Sequence, residues 1–234
     1  MRVYYANNDV RSRMIEYLGG NSLEQVSSVY LTRCDVTTYY NLDLKRPSEL
    51  PYFLDNFFDV GRSLWDRKGL IAHLDIEYVN FDFPAEPYLD MARSFALQEP
   101  LVSGIKKILS GYGLSSLHLI SGRGHHFVWQ IPKPSAAFSK LRRLTHPFAA
   151  KTVNPKYCCL GLAENVPDDL RQGFAGLGLA MEFLALRIKA QDCQRSDLPV
   201  ELTAVATGPV KRGREIISID ISEYGDPLQT RMIR

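Results

Sequence analysis

One segment narrows the folding options more than any other. In Ile71-Ala72-His73-Leu74-Asp75-Ile76-Glu77-Tyr78-Val79, apolar and polar residues alternate strictly from Ala72 to Tyr78. Successive strand side chains point to opposite faces, so His73, Asp75 and Glu77 share one face and Leu74, Ile76 and Tyr78 the other. The pattern predicts a strand from Gly69 to Phe81 with one face against a core. Carboxylates two residues apart on a strand lie about 6.8 Å apart at the backbone. Their side chains can converge on two divalent ions about 3.5–4 Å apart, as metal-dependent phosphoryl transfer requires. The same pattern also suits a half-exposed strand with a polar outer face.

Helical and extended signals alternate around this strand, which predicts an α+β fold. A helix capped by Asp9 is expected through Leu18, ending at Gly19-Gly20. A second is expected after Pro47-Ser48, with Leu50, Phe53, Leu54, Phe57 and Phe58 at helical spacing, running as far as Trp65. Residues 88–110 read as one or two helices broken near Pro100. Leu117–Ser121 and His126–Ile131 are strands joined so tightly that they must be antiparallel. A short helix follows over Ser135–Leu144, then a long one from Pro167-Asp168-Asp169 to about Gln191, with acids in its first turn. Strands over Leu202–Ala206 and Glu215–Ile221 close the pattern. The 234 residues are expected to form a single unit, with an N-terminal helical and mixed lobe over 1–68 and a core over 69–234.

Charge is unevenly placed. No acid occurs in the 64 positions between Glu99 and Glu164, which hold nine basic residues, whereas residues 1–99 carry 15 acids against 10 bases. A positive middle flanked by acidic ends suits a partner bearing phosphates, although a solvated basic face has the same composition. The four cysteines contain no C-x-x-C pair, which argues against a zinc knuckle or a secreted disulfide framework. The first residues lack the apolar core of a signal peptide. The longest apolar stretch, Gly173–Ile188, is interrupted by Glu182 and Arg187 and is too short to span a bilayer. A cytoplasmic protein without a membrane partner is expected.

Two further stretches could carry chemistry. In Ser121-Gly122-Arg123-Gly124-His125-His126, glycines flank an arginine, so backbone N–H groups can approach a phosphate beside a guanidinium. Alternation places His126 with Val128 and His125 with Phe127. Arg214 to Ser222 reads as a β-branched strand on which Arg214, Ser218 and Asp220 share a face, though an aspartate closing such a strand is also an ordinary turn residue.

The ordered set, His73-Leu74-Asp75-Ile76-Glu77, then Ser121 to His126, then Ile217-Ser218-Ile219-Asp220, resembles the three motifs of the archaeo-eukaryotic primase superfamily. That superfamily includes the small catalytic subunits of primases, the primase-polymerases and the polymerase domains of bacterial end-joining ligases. The resemblance spans about two-thirds of the chain, from Gly69 onward. It implies a catalytic lobe related to an RNA-recognition-type sheet, packed on the N-terminal lobe. It also implies that Asp75, Glu77 and Asp220 are catalytic carboxylates binding two Mg2+ or Mn2+ ions. Ser121, Arg123, Gly124 and His126 would form the triphosphate-binding turn, with His125 an alternative for the motif's histidine. Arg214 and Arg234 are further phosphate-binding candidates. No zinc is expected, since the cysteine cluster of several primases has no counterpart here. The implied activity is template-dependent nucleotidyl transfer on a DNA template or primer-template, using nucleoside triphosphates. Because the family pattern usually continues beyond its last basic residue, Arg234 is expected to end a piece of a larger replication or repair protein. The alternatives are a nucleotide- or nucleic-acid-binding module without turnover and a metal-dependent phosphodiesterase. Gly173, Gly176 and Gly178 lie within a predicted helix and do not make a dinucleotide-binding fingerprint.

Overall fold

The alternating segment forms β4 (Gly69–Asn80), the central strand of the larger of two sheets. The computed structural model describes residues 2–32, 45–58, 60–144, 167–192, 195–202, 215–221, 224 and 230–233. Within them the chain is mixed α+β. β4 pairs antiparallel with β6 (Gly124–Pro132) on one side and with β8 (Glu215–Asp220) on the other. β5 (Leu117–Ile120) extends the sheet beyond β6 and is antiparallel to it; β7 (Val200–Leu202) extends it beyond β8 and is parallel. A two-residue strand, β3 (Trp65–Asp66), forms a hairpin with the start of β4.

The apolar face of β4 carries Leu70, Ala72, Leu74 and Ile76, all fully buried. It packs under α5 (Met91–Gly111) and α7 (Asp168–Asp192), whose Leu101, Val102, Ile105, Phe174, Leu177 and Ile188 complete the main core. α6 (Ala136–Leu144) lies against α7, and the glycines of α7 make that approach possible. A β-carbon at Gly176 would collide with the Leu141 carbonyl, and one at Gly173 would press on Phe138 and Leu70. No helix of the described residues is long and apolar enough to cross a membrane.

The N-terminal residues build a second, smaller core. α1 (Arg2–Ala6), α2 (Asn8–Tyr17) and α3 (Leu50–Asp55) bury Tyr5, Met14, Leu18, Phe53 and Leu54 together. They pack beside a three-stranded antiparallel sheet of β1 (Leu31–Thr32), β2 (Val60–Ser63) and β9 (Thr230–Ile233). The C-terminal strand therefore returns to the small sheet instead of extending the larger one.

Four expectations need correction. The helix over α3 stops at Asp55 instead of reaching Trp65, because Phe57 adopts a left-handed backbone, φ 59°, and β2 follows. The break expected near Pro100 falls at Asp90, whose side chain caps α5 by accepting from the Arg93 N–H at 3.0 Å. α5 then runs unbroken through Pro100. An interior proline costs about 3 kcal/mol, which is offset by burying Leu101, Val102 and Ile105 completely at about 1.5–3 kcal/mol each. The cap of α2 is Asn7, whose Oδ1 accepts from the Asp9 N–H at 2.8 Å. Finally, β6 begins at Gly124 and β5 ends at Ile120, so the turn between them is Ser121-Gly122-Arg123 instead of the expected Gly122-Arg123-Gly124.

The two cores are joined by a buried ion pair. Arg62 on β2 reaches Asp66 on β3 at 2.7 Å, and their side chains are 4% and 0% exposed. Arg62 also donates to the Tyr17 carbonyl at the end of α2. Asp66 accepts from Ser27 Oγ at 2.6 Å, the Lys68 N–H at 2.9 Å and Gln130 Nε2 on β6 at 3.3 Å. Removing one partner of such a pair strands the other charge in a dry site, at a cost of about 3–5 kcal/mol. Asp66→Ala is expected to lower unfolding stability by that amount in urea denaturation. The double substitution Arg62→Met, Asp66→Leu is expected to cost less than Asp66→Ala alone.

Candidate active site

Register decides where the predicted acids go. Asp75 stands directly opposite His126 on one side and Asp220 on the other; Glu77 stands opposite Gly124 and Ser218. Opposed residues of paired strands share a face, with Cα atoms about 4.5–5.5 Å apart. Asp75, Glu77, Asp220 and His126 therefore lie on one face of the sheet, away from α5 and α7. His125 lies on the helix-covered face with Phe127, so His126 is the histidine beside the carboxylates. Arg214 and Arg234 lie outside the described residues.

The face is more buried than a polar outer surface would be: Asp75 and His73 are each 1% exposed. Arg123 Nη2 donates to Glu77 Oε2 at 2.7 Å. Burial works against the Arg123 charge, but Glu77 outweighs it, with Tyr88 and Asp75 adding to the effect, so the guanidinium is held more firmly protonated than usual. The rings of His73 and His126 meet through Nε2 and Nδ1 at 2.8 Å, and His126 Nδ1 lies 3.6 Å from Asp75 Oδ1. The main chain of His73 is fixed from the β8 side by the Tyr224 hydroxyl, which donates to its carbonyl at 2.6 Å and accepts from its N–H at 2.7 Å.

In the turn, the Ser121 N–H donates to the Gly124 carbonyl at 2.9 Å, and Ser121 Oγ is buried with no hydrogen-bond partner among the described residues. A polar atom left so is costly unless a ligand satisfies it. The glycines have packing reasons of their own. A β-carbon at Gly124 would collide with the Ile76 carbonyl across the β4–β6 ladder, and one at Gly122 would lie 2.9 Å from Tyr88 Cε1. The Arg123 carbonyl accepts from the Tyr78 N–H at 3.2 Å and from Gln98 Nε2 at 3.1 Å, which fixes the turn to β4 and α5.

Beside His126 the sheet opens into a cleft of about 680 Å³. Val10, Arg13, Met14 and Tyr17 of α2 line one wall, and Ile71, Leu119 and Val128 the other. Leu119 is the register partner of His126 on β5, so the cleft opens on the same face of the sheet as the carboxylates, although Asp75, Glu77, Asp220, Ser121, Arg123 and His126 do not line it.

The donor chemistry fits Mg2+ or Mn2+: three carboxylates and no thiolate, hard oxygen ligands for hard cations. As placed, the side chains are not gathered. Among the described residues no group of three or more His, Cys, Asp or Glu stands ready to hold a metal ion, and Glu77 is turned onto Arg123. Sequence reasoning put His73 on the right face but gave it no role, and Tyr224 carried no signal at all. Comparison with protein-family models, curated proteins and solved structures matches the chain to none of them.

On the opposite face, His118 Nε2 and His125 Nδ1 lie 2.9 Å apart, with Phe127 stacked on His118 and Phe95 edge-on to His125. Burial, then the charges of His118, Lys106 and His126, push the His125 imidazole down to about 4. A histidine near 6.5 when unfolded and near 4 when folded binds more protons in the unfolded state, so stability is lost as pH falls through that window. Linkage puts the loss near 2 kcal/mol at pH 5 relative to pH 8. His125→Phe is expected to shrink the difference between denaturation free energies at those two pH values by about this amount.

Proposed function

We propose that the chain is a metal-dependent nucleotidyltransferase of the primase-polymerase kind, acting in the cytoplasm on a DNA template or primer-template with nucleoside triphosphates. One observation carries the reading. Three motifs more than forty residues apart converge on one sheet face, through the register that sets Asp75 between His126 and Asp220. The antiparallel β6–β4–β8 centre with helices over one face is the arrangement expected of an RNA-recognition-type catalytic lobe.

Asp75, Glu77 and Asp220 would hold the divalent ions, and Ser121, Arg123 and His126 would hold the triphosphate. Bound ions of this kind activate the attacking hydroxyl and neutralise the triphosphate. The protein's own share is to position. β4 and β8 fix two acids directly opposite each other, and the Ser121–Arg123 turn presents a hydroxyl and a guanidinium next to them. The cleft lined by α2 opens on this face and would take the nucleoside or the template strand. Arg123 neutralises Glu77 as the site stands and would exchange that partner for phosphate oxygens.

The Arg123–Glu77 ion pair also favours a second reading, a primase-like module that binds nucleotide or nucleic acid without turnover. Incubation with a primed template, nucleoside triphosphates and Mn2+ or Mg2+ separates the two. Extended product is expected from wild type. Asp75→Ala and Asp220→Ala are each expected to reduce it on the order of 10³-fold, the several kcal/mol that charge stabilisation by the ions supplies. Nucleotide binding without product favours the binding module, release of short fragments points to a phosphodiesterase, and undiminished synthesis by Asp75→Ala removes the proposed site.

A further inference from the structure

His73 lies two residues before Asp75 on the carboxylate face, 1% exposed, with both backbone polar groups held by the Tyr224 hydroxyl. Its register partner on β6 is Val128, so its ring reaches diagonally to His126 and meets Nδ1 at 2.8 Å. A neutral imidazole has one N–H donor and one bare nitrogen acceptor, so this contact admits two arrangements. If His126 Nδ1 carries the proton, its Nε2 is a lone pair that repels an anion. If His73 Nε2 carries the proton and donates, His126 keeps its own proton on Nε2, as a donor to phosphate oxygen. The 2.8 Å contact fits donation in either direction, and Asp75 Oδ1, 3.6 Å from His126 Nδ1, is too far to fix a proton there by a hydrogen bond; the second arrangement is the one the nucleotide reading requires.

We infer that His73 is a positioning residue that acts through His126: by donating from Nε2 it holds His126 in the Nε2–H tautomer, so that the ring offers a hydrogen bond to a polyphosphate. This rests on the nucleotide reading above and adds the device that makes the motif's histidine a donor. The backbone clamp by Tyr224 fixes the diagonal geometry. Because the device sets a tautomer and an orientation, it is separable from the carboxylates that would hold the ions.

Long-range 1H–15N correlation spectra of the wild-type imidazoles read the tautomer directly, without any substitution. His126 is expected to show a protonated Nε2 and a bare Nδ1; a proton on Nδ1 overturns the inference. Calorimetric titration with inorganic triphosphate supplies the second readout. His73→Leu is expected to weaken binding about 10-fold in the wild-type background and to change nothing further in a His126→Ala background. His73→Gln, whose amide can present an N–H near the place of Nε2, is expected to restore most of the loss. Equal loss from His73→Leu in both backgrounds, or no loss in either, overturns the role of His73. Wild-type protein that binds no triphosphate, with or without Mg2+, overturns the nucleotide reading on which the inference rests, whatever the tautomer.

Discussion

The register of β4 between β6 and β8 is the constraint on which the rest of the structure depends. Side chains alternate with a period of two, so a slip of one residue would exchange the faces. Asp75 would then lie under α5 among Leu101, Val102 and Ile105, where an unpaired charge costs several kcal/mol. Leu74 and Ile76, both fully buried, would move onto the polar face and forfeit about 1.5–3 kcal/mol each. Three devices hold the correct alignment: the hairpin at Trp65–Gly69, the close passage of Gly124 over Ile76, and the Tyr224 hydroxyl where β8 does not reach.

A polar sheet face beside a core needs a cover that does not fill it. The small N-terminal core supplies this, anchored by Arg62 and Asp66 at one edge while α2 stands off the sheet to leave the cleft. The polar contacts of Asp66 run to Ser27, Arg62, Lys68 and Gln130, from residues on both sides of the joint. The end of α2 is thereby tied to the sheet through Arg62, which links the Tyr17 carbonyl to a fully buried carboxylate outside the candidate site.

Much of this was legible where one periodicity dominated. The strict alternation of residues 72–78, the β5–β6 hairpin and the long helix from Asp168 all appear at nearly the expected bounds. The misses occur where local signals compete with tertiary contacts. All four residues of β2 are buried, so no alternation marks it off from the helical spacing of phenylalanines that precedes it. Pro100 is a local helix breaker overruled by the core beneath it. β9 pairs with β2 across more than 160 residues, and nothing in a local pattern specifies that partner. In the candidate site, the shared face of Asp75 and Glu77 could be read from spacing alone. The partnership of Asp75 with Asp220 required the register, and the histidine pair required side-chain direction across a diagonal.

The tandem histidines of β6 show how one ladder can serve two purposes. Adjacent positions face opposite sides, so His125 and His126 enter different media although they are neighbours in the chain. His125 is packed against Phe95 and His118, and burial keeps it neutral. His126, 15% exposed, meets His73 and Asp75 next to the cleft. Asp75 and Asp220 are like charges placed directly opposite, an arrangement that destabilises a bare sheet. A fold that keeps such a pair in register, and sets an arginine and two histidines around it, gains by it when a cation is to be bound there. On the proposed reading, the cost in stability and the affinity for ions are the same electrostatic energy, set by one register.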